Sequence, residues 1–181
     1  IQHCNGEILK AMNRQGDRKY LTELIAKIRA KIPDVILRTT LIAGFPGETE
    51  EQFEELCEFV KEIQFERLGC FAFSPEEGTK AYDMPDQIHL KTRERRAEII
   101  MEEQMIISDR LNEKCMGKTF DVVCEGFDRY AECYYGRSAA DAPEIDGKIF
   151  FDSDKKLRTG EYVKVLVDDT LDYDLIGSRV D

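Results

Sequence analysis

The feature that most constrains this chain is the run Val35-Ile36-Leu37-Arg38-Thr39-Thr40-Leu41-Ile42-Ala43, which passes at once into Gly44-Phe45-Pro46-Gly47. The run is nearly continuous in apolar and β-branched residues, as expected of a strand in a parallel sheet covered on both faces. Gly44 to Gly47 reads as the turn out of it. Thr49 and Gln52 then have the spacing of a capping box, and Phe53, Leu56, Phe59, Val60 and Ile63 recur on one helical face. A strand that turns straight into an amphipathic helix predicts the βα unit of an α/β domain, with right-handed crossovers.

The flanking segments extend that pattern. Asn5 can cap a short helix carrying Ile8, Leu9 and Met12, and a second begins near Asp17, with Leu21, Leu24, Ile25, Ile28 and Ile32 in phase until Pro33. Arg67 to Phe73 reads as the next strand. A loop from Ser74 to His89 precedes a long helix, about Lys91 to Cys115, expected to turn Ala97, Ile100, Met101, Met105 and Leu111 inward. Two strands and a stub leave a sheet edge open, so further strands are expected before Ile1, and the lack of an initiator Met agrees with a fragment. After Gly117 the pattern changes to short segments between turns: Thr119 to Glu125, Tyr130 to Ser138, Lys148 to Phe151, Tyr162 to Val167 and Tyr173 to Ser178. These predict a small five-stranded antiparallel barrel of the OB type. The boundary falls at Cys115 to Gly117, giving domains 1–115 and 117–181.

Composition narrows the function classes. The chain has 26 Lys+Arg against 37 Asp+Glu, a net charge of −11, which weakens a nucleic-acid reading. Hydrophobic residues at 42% and charged residues at 35% are the balance of a globular domain. No run approaches the ~18 apolar residues of a membrane span, and the opening residues are no signal peptide, so a cytoplasmic protein without a membrane partner is expected. The cysteines at 4, 57, 70, 115, 124 and 133 show no metal-ligand spacing, and His3-Cys4 is the only His/Cys neighbour pair. No metal site is expected, and reduced, buried thiols are the default.

Ligands of α/β sheets and barrels sit at the carboxyl ends of strands, which is where Gly44 to Glu48 falls. Glycine there lets the backbone approach a ligand, and the helix starting at Thr49 offers free N–H groups. The same residues equally form a plain strand-to-helix turn. The seven carboxylates from Glu48 to Glu62 read as helix N-terminal acids and a solvated face rather than a cation site.

Several strings agree, in order, with one family. Gln2-His3, Ile8 to Arg14, Arg38 to Thr49, and Glu76-Glu77-Gly78-Thr79-Lys80-Ala81 resemble the later half of a radical S-adenosylmethionine (SAM) methylthiotransferase. Gly136-Arg137-Ser138, Asp141 to Gly147 and Tyr173 to Gly177 resemble its TRAM domain, in the branch that methylthiolates an aspartate of a small-subunit ribosomal protein. The resemblance implies the later part of a (βα) partial TIM barrel followed by TRAM. It also implies SAM and two [4Fe-4S] clusters as cofactors. The family's C-x3-C-x2-C loop is absent from this sequence, so both clusters are expected to be ligated outside it, and no catalytic residue is assigned here. The fragment alone is expected to be inactive. What carries over is a SAM-side rim: Gln2, Arg14, Arg38, Gly44 and Glu48, whose amide and guanidinium groups suit ribose hydroxyls and a carboxylate, with Gly44 allowing close packing against adenine. Thr40 replaces the first Gly of the family's G-x-I-x-G-x-x-E strand, and Glu48 stands one place late, which leaves its role open.

Two alternatives differ in class: a tRNA adenosine methylthiotransferase and a non-enzymatic binding module. Residues 117–181 carry nine basic and fifteen acidic side chains, a net −6 that should repel tRNA and attract a basic ribosomal protein. Asp141, Glu144 and Asp146, around Pro143 and Gly147, are the candidate substrate-binding acids, although such residues also cap turns. Arg129, Tyr130, Tyr134, Tyr135 and Arg137 interleave as in RNA-stacking barrels, but Asp128 and Glu132 nearly cancel their charge, and strand packing is preferred. No direct nucleic-acid contact and a monomer are expected.

Overall fold

Side-chain caps start the helices where the sequence provides them. In the computed structural model, which describes residues 1–180, Asn5 accepts from the N–H groups of Glu7 and Ile8 to open α1 (Gly6–Ala11), and Asp17 accepts from Tyr20 to open α2 (Arg18–Lys31). Thr49 and Gln52 form a reciprocal capping box on α3 (Glu50–Ile63), which ends at Gln64 in the left-handed region. Strands β1 (Arg38–Ala43) and β2 (Arg67–Ala72) pair in parallel, Arg38 opposite Arg67 and Ala43 opposite Ala72. Gln2 extends this sheet: its N–H donates to the Thr40 carbonyl at 3.1 Å and its carbonyl accepts from Ile42 at 2.8 Å.

The residues divide into two compact units, Ile1–Ile107 and those from Ser108 onward, the division lying inside α4 (Leu90–Glu113). In the first unit Leu41, Ala43, Leu56, Phe59 and Val60 are fully buried. Burial of the Leu, Phe and Val side chains contributes about 1.5–3 kcal/mol each.

Three local expectations are corrected here. The first strand begins at Arg38 rather than Val35, because Asp34 takes φ 62° and the Leu37 N–H goes to the Glu66 side chain at 2.9 Å instead of a ladder partner. Along β1, Thr39, Leu41 and Ala43 are buried while Arg38 and Thr40 are exposed, and Phe71 of β2 is 64% exposed, so among the described residues the sheet is covered on one face and not on both. Met105 is exposed. The buried stripe of α4 runs instead through Arg93, Arg96, Ala97, Ile100, Gln104 and Ile107, because polar side chains that find buried partners share the inner face with the apolar ones.

The second unit is a closed five-stranded barrel of β3 (Thr119–Asp128), β4 (Cys133–Arg137), β5 (Ile149–Asp152), β6 (Tyr162–Leu171) and β7 (Asp174–Val180), in the order β3-β4-β5-β7-β6 with β6 returning to β3. Val122, Cys124, Ile149, Phe151, Val163 and Val165 alternate inward to form its core. Register shifts between Cys124 and Gly126 and between Val167 and Asp169 bend the two long strands, as closure of so small a barrel requires. The barrel is mixed rather than wholly antiparallel: β5 and β7 run parallel, Ile149 opposite Leu175, because β7 enters between β5 and β6.

Candidate functional site

The turn at the carboxyl end of β1 is organised around one buried acid. Gly44 has φ +77° and Gly47 φ +83°, conformations that favour glycine. The Gly44 N–H points at both carboxylate oxygens of Glu48, 3.0 Å from each. Arg96 donates through Nη1 to Glu48 Oε1 at 2.8 Å and to the Glu48 carbonyl at 3.1 Å, and through Nη2 to Glu50 at 2.7 Å. Its guanidinium lies over the Phe53 ring. His3 Nε2 lies 3.4 Å from Glu48 Oε2, near enough for electrostatic attraction but not aligned as a hydrogen bond. The side chains of His3 and Glu48 are wholly buried.

Gln2 pairs with the strand that leads into this turn, through Thr40 and Ile42. Its φ of 96° is one that residues with a side chain rarely adopt, and its Oε1 is buried without a partner. Arg14 follows α1 with its N–H on the Leu9 carbonyl, and its side chain is exposed. Burial, and after it the Arg14 charge, lowers the Ile1 amine from its ordinary value.

The structure therefore bonds Gly44 to Glu48, and pairs Gln2 with Thr40 and Ile42 of the strand that leads into that turn. Arg38 stands apart, exposed at the amino end of β1, about 20 Å along the strand from Gly44 at the usual rise per residue. The space beside Gly44 differs from the expectation: a Cβ there would meet Arg93 Cγ at 2.4 Å and Arg93 Cβ at 2.8 Å, so an α4 side chain fills it. Arg93 itself donates to the Phe73 carbonyl at 2.7 Å. Arg93, Arg96 and His3 as a partner of Glu48 were not identified from the sequence. Two arginines in phase with Ala97 and Ile100 were the available signal.

In the barrel, Asp141 accepts from the Ser138 N–H and hydroxyl, and Asp146 accepts from the Ala142 N–H at 2.6 Å, both within the same turn-rich segment. Glu144 is exposed, with φ 62°. Tyr134 stacks on Phe151 and accepts from the Leu157 N–H, Tyr135 lies against Phe150 and under Lys148, and Arg137 pairs with Glu125 at 2.8 Å. Only Tyr130 of that aromatic series is fully exposed.

Among the described residues no group of three or more His, Cys, Asp or Glu could hold a metal ion, and no helix is long and apolar enough to cross a membrane. Burial pushes the Cys4 and Cys70 thiols up to about 12 and Cys57 up to about 11, the opposite of what a thiolate ligand needs. These cysteines do not fit an iron-sulfur cluster. The unpartnered Gln2 oxygen at the rim does fit a polar ligand group.

Comparison with known proteins shows what these residues resemble. Residues 1–60 match the radical SAM superfamily and residues 116–180 the TRAM domain. The chain is 47% identical over 177 residues to a protein named ribosomal protein uS12 methylthiotransferase RimO from a Thermoanaerobacter species, and 49% identical over 177 residues to one of that name from Caldanaerobacter subterraneus. A third, from Clostridium acetobutylicum, is 46% identical. Each alignment covers 98% of this chain but only 39–40% of the relative, so the chain spans about two fifths of the proteins it matches. The chain is thus similar to the radical SAM superfamily through residues 1–60, to the TRAM domain through residues 116–180, and across 98% of its length to proteins named RimO.

Proposed function

We propose that the intact protein is a radical SAM methylthiotransferase acting on ribosomal protein uS12, and that this chain supplies one side of its SAM site and its substrate-recognition barrel. The observation that carries the reading is identity of 43–49% to proteins named RimO over essentially the whole chain. The reaction replaces a hydrogen on the β-carbon of an aspartate with a methylthio group. The domains are taken as residues 1–115 and 117–181. SAM supplies the radical chemistry when bound with its cluster. Both clusters are ligated by residues outside this chain.

On this side of the site Gln2 Oε1, oriented by the two backbone bonds of Gln2 to β1, accepts from a ribose hydroxyl or the SAM ammonium. Arg14 offers a guanidinium to the SAM carboxylate. Arg38, on the open face of the sheet, supplies positive charge farther along β1. The Gly44–Gly47 turn presents backbone to the adenine edge, and Arg93 behind Gly44 closes the protein side of that wall.

The barrel carries Glu144, Asp141 and Asp146 toward a basic ribosomal protein. Its net charge of −6 favours that partner over tRNA and makes direct nucleic-acid binding unfavourable. The protein acts in the cytoplasm, as a monomer. The test is anaerobic incubation of the full-length, cluster-loaded protein with SAM and either uS12 or tRNA, followed by mass spectrometry. A methylthio group on an aspartate of uS12 supports the reading. Modification of a tRNA adenosine, or of neither substrate by active protein, refutes it.

A further inference from the structure

We propose that Glu48 is a positioning residue that locks the two sides of the ligand rim together, acting through His3 and Gly44 without touching the ligand. The inference rests on the reading of Gly44–Glu48 as part of a SAM site. Three observations carry it.

The first is that the carboxylate is already committed. Its side chain is wholly buried, its Oε1 takes the Arg96 guanidinium, and both oxygens face the Gly44 N–H. A ligand using that charge would first have to displace an arginine that is itself 7% exposed and held by Glu50 and Phe53. Glu48 thereby closes a ring over its own turn and fixes Gly44 in the left-handed region.

The second is the state of His3. The Asn5 N–H donates to His3 Nδ1 at 2.9 Å, so Nδ1 carries the lone pair and the ring proton sits on Nε2, facing Glu48 Oε2. The third is the neighbouring Gln2, whose φ of 96° persists only if the surroundings over-determine it. Two ladder bonds to Thr40 and Ile42 hold its peptide groups on one side. His3, seated against Glu48, holds the next residue on the other. The carboxylate therefore holds the glycine directly and lies 3.4 Å from the His3 ring that follows the strained residue, with α4 as its counter-charge.

The test uses full-length, cluster-loaded protein, with SAM affinity from equilibrium dialysis and hydrogen exchange at the Gly44 amide as two separate readouts. Glu48→Ala is expected to weaken SAM binding about tenfold or more and to expose the Gly44 amide to exchange. The pair Glu48→Gln with Arg96→Met removes both buried charges together and keeps an oxygen for the Gly44 N–H. It is expected to restore Gly44 protection and to return SAM affinity to within about threefold of the parent. Should Glu48→Ala fail to fold, the neutral pair carries the test alone. A neutral pair that protects Gly44 yet binds SAM as weakly as the alanine variant would show that the charge acts on the ligand and overturn the proposal. So would a folded Glu48→Ala protein with unchanged SAM affinity. A parent protein with a protected Gly44 amide and no SAM affinity would instead overturn the cofactor reading itself, which separates the two failures.

Discussion

Adding one methyl group to Gly136 should break the barrel. Gly136 lies in β4 between Cys124 of β3 and Ile149 of β5, so both of its neighbours are ladder-bonded strands. A Cβ there would sit 2.1 Å from the Val123 carbonyl oxygen and 2.9 Å from Val122 Cγ1. Ordinary contact begins at 3.4 Å, so strand β3 would have to retreat by roughly 1 Å. An open sheet could relax by splaying its edge, whereas a closed barrel hands the shift on to β6 and β7. Overpacking of this kind costs about 1–3 kcal/mol, and collision with β3 backbone rather than with a flexible side chain argues for the upper end. At about 4–8 °C per kcal/mol for a domain of this size, Gly136→Ala should lower the barrel transition by about 12–24 °C. Differential scanning calorimetry reads the shift, and hydrogen exchange of β4 amides assigns it to the barrel. Gly69→Ala is the control: its Cβ would meet only Phe71 Cε2 at 3.9 Å, so it should be neutral or stabilise by about 0.5 kcal/mol through the unfolded chain. A Gly136→Ala protein melting within about 2 °C of the parent would refute the steric reasoning.

Alkaline pH should act through the buried thiols. Cys4 and Cys70 are raised by burial from 9.0 to about 12, so folding favours their protonated form; their stabilisation is intact below pH 9 and is lost as pH climbs from there toward 12, which urea midpoints at pH 8, 10 and 11 will read. Native-state alkylation at pH 8 should accordingly spare Cys4 and Cys70 until the chain is unfolded. In the acidic barrel loop the three carboxylates should separate by role: Asp146→Ala should cost about 1 kcal/mol through its lost turn bond. Glu144→Gln should leave the melting temperature alone while slowing association with uS12 in a salt-sensitive way. Anaerobic reconstitution of this chain alone should yield no stoichiometric bound iron or sulfide, and a cluster signal would overturn the assignment of the clusters to residues outside it.

Much of this architecture could be read from residue pattern because local and tertiary preferences agree. The Thr49–Gln52 cap, the apolar face of α3 and the alternation of β6 each satisfy a periodicity that burial then rewards. The reading failed where tertiary partners overrule type. Arg93, Arg96 and Gln104 occupy the inner face of α4 because carbonyls and carboxylates wait for them there, whereas Met105, apolar by type, faces water. The parallel pairing of β5 with β7 was hidden for another reason: strand pattern gives each segment's faces but not its neighbour's direction. At the candidate site, Gln2, Gly44 and Glu48 were named from motif, yet how the carboxylate is used depends on α4, which lies more than forty residues on.

The order β3-β4-β5-β7-β6 carries a consequence for the timing of synthesis. Until β7 is available, the other strands can form only an open sheet running β5-β4-β3-β6, with unpaired edges at β5 and β6. Residues 174–180 satisfy both edges at once, so β7 is a keystone rather than a border. On a translating ribosome the barrel would remain an adhesive, half-finished sheet until those residues clear the exit tunnel. A premature stop or a protease cut just before Asp174 would therefore take away this one strand and leave two sticky edges. The product to expect is aggregation, not a slightly weakened domain.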